Sequence, residues 1–155
     1  MSRLALVLLL LSACATVVPD PPAAPPAPDA TAAPMASAAA AGIIGEYTVT
    51  IAAADIPAEM PDSIRQQMIG TWNIGLHEGN HVLVTYNGRE VVSGPYMVSG
   101  NQLTLPANDT GPYACRTAAT YTWQTSGDQL ALTRVQDACD GRAVVLTRHP
   151  LMRRG

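Results

Sequence analysis

The side chains best suited to chemistry cluster at His77-Glu78-Gly79-Asn80-His81, which spells H-E-x-x-H. On a helix, histidines at this spacing share a face and hold Zn²⁺ while the glutamate activates water. That arrangement is metal-dependent hydrolysis, and it requires a helix. Gly79 alone costs about 1 kcal/mol in a helix interior. The residues on either side alternate apolar and polar, as strands do. The segment therefore reads as a hairpin turn with His77 and His81 facing each other on an outer surface. They are solvated histidines, weak metal candidates at most, and a hydrolase using residues 77–81 is the remotest reading.

Other chemistry is sparse. Ser93, Ser99 and Ser126 have no recognisable base partner in the sequence. Asp109, Asp128, Asp137 and Asp140 fall in predicted turns, where short carboxylates bond their own backbone. Asp137 and Asp140 lack the loop pattern of a calcium site. Neither G-x-G-x-x-G nor a Walker loop occurs. No catalytic residue, metal or cofactor is expected, and the chain is not read as an enzyme. The 9 basic residues are all arginine, against 12 acidic ones, for a net charge of -3. Nucleic-acid binding needs a dense basic surface, which this balance does not supply. A length of 155 residues allows one modest domain, and a monomer is expected.

The elements that position these residues begin after an export address. Arg3 precedes an apolar run from Leu4 to Leu11, far short of the roughly 20 residues a membrane span needs. It ends in Leu11-Ser12-Ala13-Cys14, which resembles a bacterial lipobox. The resemblance implies a signal peptide over 1–13 and a lipidated, palmitate-bearing Cys14 that partners the membrane. Ala15 after the cysteine resembles outer-membrane sorting, which would leave the domain facing the periplasm. Residues 14–42 are an Ala/Pro-rich tether with nothing to build a core, and proline favours extended shapes there.

The remainder, 43–150, reads as an all-β domain, with 151–155 as a tail. Period-two alternation predicts about eight strands: 46–51, 71–77, 81–86, 90–99 with a bend at Gly94-Pro95, 102–105, 119–124, 129–136 and 142–148. Asn87-Gly88 is a strong two-residue hairpin signal. One short helix is expected within 57–69, with Ser63 and Gln66 as a capping box and Ile64 and Met68 on one face. Short links favour an antiparallel up-and-down barrel, because closure removes both sheet edges; a β-sandwich is the alternative. Successive links alternate between barrel ends. This places Cys115 and Cys139 at the helix-bearing end, and an oxidising compartment predicts a Cys115–Cys139 disulfide. The opposite end carries only three tight turns, which predicts the open mouth there.

Gly70-Thr71-Trp72 opens a strand just after the helix and ahead of a meander. It resembles the G-x-W signature of lipocalins and their calycin relatives. That resemblance implies a late arginine packed over Trp72, by position Arg148, with Arg142 second. Strand alternation turns Trp72, Ile74, Val82, Val84, Tyr86, Tyr121, Trp123, Leu130 and Leu132 into the barrel interior, where a small apolar ligand is the expected occupant. The alternative is a packed barrel serving as a protein-interaction or envelope-structural module, a secreted-protease inhibitor among them, with an envelope protein as its partner.

Overall fold

The computed structural model describes residues 42–155. The signal peptide, Cys14 and the tether up to residue 41 lie outside the described residues. Alternating segments form β1 (Gly45–Ile51), β2 (Gly70–His77), β3 (His81–Tyr86), β4 (Arg89–Pro95), β5 (Met97–Ser99), β6 (Gln102–Leu105), β7 (Ala119–Ser126), β8 (Gln129–Asp137) and β9 (Leu151–Arg153). Helices α1 (Asp62–Met68) and α2 (Asp140–Thr147) and a 3-10 turn at Ala53–Asp55 complete the fold. No helix among the described residues is long and apolar enough to cross a membrane.

All strands belong to one antiparallel sheet in the order β4-β3-β2-β1-β9-β8-β7-β6-β5. Its two edge strands, β4 and β5, are consecutive in the chain, separated only by Tyr96. The backbone itself therefore joins the edges, and the sheet curls into a nearly closed up-and-down barrel. The bend expected at Gly94-Pro95 is this junction. Asn87 (φ 50°) and Gly88 (φ 78°) form the β3–β4 turn, matching the positive dihedrals that a two-residue hairpin demands.

Two pieces that are not strands complete the wall. Residues 106–118 run along the free edge of β4, where Ser93 pairs with Thr110 and Tyr113 N–H bonds the Val91 carbonyl at 3.1 Å. The approach is close enough that a Cβ on Gly111 would collide with that carbonyl. On the other side, β9 pairs with Gln129 and Leu130 of β8 and with Tyr47 and Thr48 of β1. β9 thus reaches only the turn-bearing half of its neighbours. α2 packs beside β8 with Ala143, Val145 and Leu146 buried. The Cys115–Cys139 disulfide forms as expected, and it ties the 106–118 segment to the start of α2.

Several local expectations are corrected. The segment 142–148 is helix, not strand: Val144 and Leu146 suit either period, but Ala143 and Leu146, one helical turn apart, are both buried. The N-terminus of α2 is fixed by the disulfide at Cys139, and Asp140 in its first turn suits the positive end of the helix. The final strand is Leu151–Arg153, so 151–155 is not a detached tail and the barrel does not end at Pro150. The helix within 57–69 starts at Asp62 with Pro61 as its N-cap and no side-chain cap, so the Ser63–Gln66 box does not form. Instead the Pro61 carbonyl accepts from Ile64 and Arg65 N–H at 2.9 and 3.0 Å.

Candidate functional site

The barrel encloses a cavity of about 180 Å³. Alternation on β2, β3 and β8 turns Trp72, Ile74, Val82, Val84 and Leu132 into it, as expected of those residues. Ile64 and Met68 of α1 also line it, one turn apart on the same face. The disulfide-tied pieces supply Asp109, Tyr113, Cys115, Cys139 and Arg142. Among the lining residues Ile64 and Gln67 are exposed, so the cavity reaches solvent beside α1.

This location corrects the expected mouth. The turn-bearing end is plugged from inside: Tyr47 donates its hydroxyl to the Ile43 carbonyl at 2.9 Å, and Tyr96 donates to the His77 carbonyl at 3.0 Å. Both tyrosines and Ile43 are almost wholly buried. The remaining predicted interior residues serve the core, not the cavity lining. Tyr86 packs against Trp72, tilted by 35° with ring centres 4.6 Å apart, and donates to the Ile69 carbonyl at 2.6 Å. Trp123 packs on Gly42. Leu130 is fully buried and paired with Leu151. Tyr121 turns inward, but its hydroxyl is committed to Asp137.

Trp72 both walls the cavity and fastens α1, donating its indole N–H to the Met68 carbonyl at 2.9 Å. The arginine expected over it lies elsewhere. Arg148 is half-exposed, 3.6 Å from Asp55. The arginine that sits over a ring is Arg153, 5.1 Å from the centre of Tyr47. Arg153 also bonds the Ile44 carbonyl at 2.8 Å and the Tyr47 hydroxyl at 2.9 Å. Arg148 closes α2 as its C-cap and does not sit in the wall.

Arg142, the second choice for ring packing, is one of the lining residues and is bound into a buried ion pair. Its Nε and Nη2 each donate to a different oxygen of Asp137 at 2.8 Å, and Nη2 also bonds the Thr117 carbonyl at 2.7 Å. Asp137 is the buried charged residue among the described ones. Burial pushes its carboxyl up, but donations from Arg142, Tyr121 and the Cys139 N–H outweigh that and hold it below the usual range. Burial and then the bond to Asp137 drive the Tyr121 phenol well above its ordinary value. For Arg142, burial works against the charge, and Asp137 more than restores it.

His77 and His81 are register partners across the β2–β3 hairpin, with ring centres 6.5 Å apart, as the alternation predicts. His77 lies 3.7 Å from Glu46. His81 Nε2 lies 3.1 Å from Ser93 Oγ, which gives Ser93 the base partner that the sequence did not show. This pair lies on the barrel's outer wall, outside the cavity, and no acid among the described residues bonds His81. Among the described residues no group of three or more His, Cys, Asp or Glu is placed to hold a metal ion.

No family model, curated protein or solved structure matches this chain.

Proposed function

We propose that the protein is a lipid-anchored envelope barrel of lipocalin-like type that binds a small, mainly apolar molecule in its interior cavity. The carrying observation is the cavity itself: about 180 Å³, walled by Trp72, Ile74, Val82, Val84 and Leu132, and reaching solvent beside α1. Its size bounds the ligand. An apolar cavity of ~150 Å³ accepts benzene, so this one suits a single substituted ring or a short branched chain. A whole fatty acid does not fit inside it. The anchor and the outer-membrane address rest on the sequence around Cys14 and on the tether.

The test is a chain carrying Cys14→Ser, secreted into an oxidising compartment and purified without detergent. Solvent extraction followed by mass spectrometry should release a compound of one to two hundred daltons, on the order of what such a cavity holds. Failing a co-purified compound, ethylbenzene should bind saturably. Absence of both would turn the reading toward a packed interaction module with an envelope protein as partner.

A further inference from the structure

We propose that the ligand is a small alkyl-substituted aromatic, its ring held at the helix-bearing end of the cavity and its alkyl group pointing into the barrel. This rests on the ligand-binding reading above and specifies its chemistry. The lining changes character along the barrel axis. Beside α1 and the disulfide it holds Trp72, Tyr113, Met68, Cys115 and Cys139, two aromatic rings and three sulfur atoms. Deeper in, it holds Ile74, Leu76, Val82 and Val84, all aliphatic. Strand register sets this order. β2 runs from Gly70 beside α1 toward the hairpin turn after His77, so Trp72, Ile74 and Leu76 follow one another inward. β3 returns alongside, pairing Val84 with Ile74 and Val82 with Leu76.

The rings and sulfurs form one continuous corner. Alternation turns Trp72 inward, and Tyr113 reaches it from the 106–118 segment, with ring centres 5.9 Å apart and planes tilted by 53°. Tyr86 backs both rings, at 4.6 Å from Trp72 and 6.1 Å from Tyr113. Met68 is buried on α1, and its sulfur lies 3.8 Å from where a Cβ on Gly141 would stand. This sets the thioether beside the start of α2, where Cys139 carries the disulfide. An aromatic guest meets such a corner favourably by face or by edge, because tilted and edge-to-face rings attract and sulfur attracts ring edges. A saturated ring in the same place gains only its burial. The deeper aliphatic walls likewise reward burial alone, which suits an alkyl group.

The experiment compares ethylbenzene with ethylcyclohexane, matched in carbon skeleton, by NMR titration of the chain carrying Cys14→Ser. Each affinity is divided by that compound's water-to-hexadecane partition coefficient, which removes ordinary hydrophobicity. The quotient should favour ethylbenzene about tenfold, the range for one or two ring and sulfur contacts. Nuclear Overhauser contacts should join the bound ring protons to Trp72, Tyr113 and Met68, and the ethyl methyl to Ile74 and Val84. Equal quotients, or a larger one for ethylcyclohexane, overturn the aromatic assignment and leave the cavity reading standing. Ring protons in contact with Ile74 and Val84 and not with Trp72 or Tyr113 overturn the orientation. Saturable binding of neither compound overturns the reading on which the inference rests.

Discussion

Replacing Val84 by phenylalanine separates a cavity from a packed core by the sign of its effect. Val84 lines the 180 Å³ space. At ~24 cal/mol per Å³ of closed void, about 4 kcal/mol is the upper bound on what filling this solvent-reaching space could add. Phenylalanine adds roughly four carbons, each contributing ~0.8 kcal/mol when buried. Ordering the larger side chain costs about 1 kcal/mol. Val84→Phe should therefore stabilise the domain by about 2 kcal/mol. It should also abolish binding of ethylbenzene, because the ring occupies the ligand's place. The assay is urea unfolding at pH 7 with the disulfide intact, reading the midpoint shift at constant m-value. In a core already packed, the same insertion costs about 1–3 kcal/mol. A lowered midpoint would refute the cavity argument.

Other perturbations follow from the same geometry. Removing the disulfide with Cys115→Ser and Cys139→Ser opens a loop closed across 24 residues; unfolding should show a loss of about 3 kcal/mol, and ligand affinity should fall because both cysteines wall the cavity. Asp137→Asn removes the nearer of the two carboxylates facing the buried Arg142, with Asp109 still 3.8 Å away, and should cost about 3 kcal/mol by urea unfolding. The folded-state pKa of Asp137 is depressed, so its contribution is fully present above the ordinary aspartate range. It is lost as pH falls through and below about 4. The wild-type minus Asp137→Asn stability difference should be flat from about pH 5 to 8 and shrink below pH 4; a difference that grows in acid would contradict this sign. Tyr47→Phe breaks the bonds to Ile43 and Arg153 and should lower stability by about 1–2 kcal/mol without changing ligand affinity, as titration of the variant would show.

The strands were legible because alternation is a local property, and half-buried walls impose it at every residue. Trp72, Ile74, Val82, Val84 and Leu132 could be assigned inward from parity alone. The disulfide was legible because a meander alternates its links between two ends. β9 was not, because a three-residue strand after Pro150 is too short to show a period. α2 was misread because Val144 and Leu146 fit an alternation, while the decisive pressure, the tie at Cys139, is tertiary. The mouth was misplaced by reasoning from turn length: short turns do not leave an end open when Tyr47 and Tyr96 fill it from within. Arg142 escaped because its role depends on Asp137, Asp109 and Thr117 meeting around it. No sequence spacing announces that meeting.

The most direct test of the central claim is a methyl NMR titration of the Cys14→Ser chain with ethylbenzene. A purely apolar probe gains burial and no hydrogen bond, so the titration runs through the millimolar range, on the order of −4 kcal/mol. Saturable shifts should appear on the methyls of Ile74, Val82, Val84 and Leu132 in that range. The exposed Val135 and Met152 should stay still. Shifts confined to exposed methyls, or none up to the solubility limit, would contradict a ligand-accessible barrel interior.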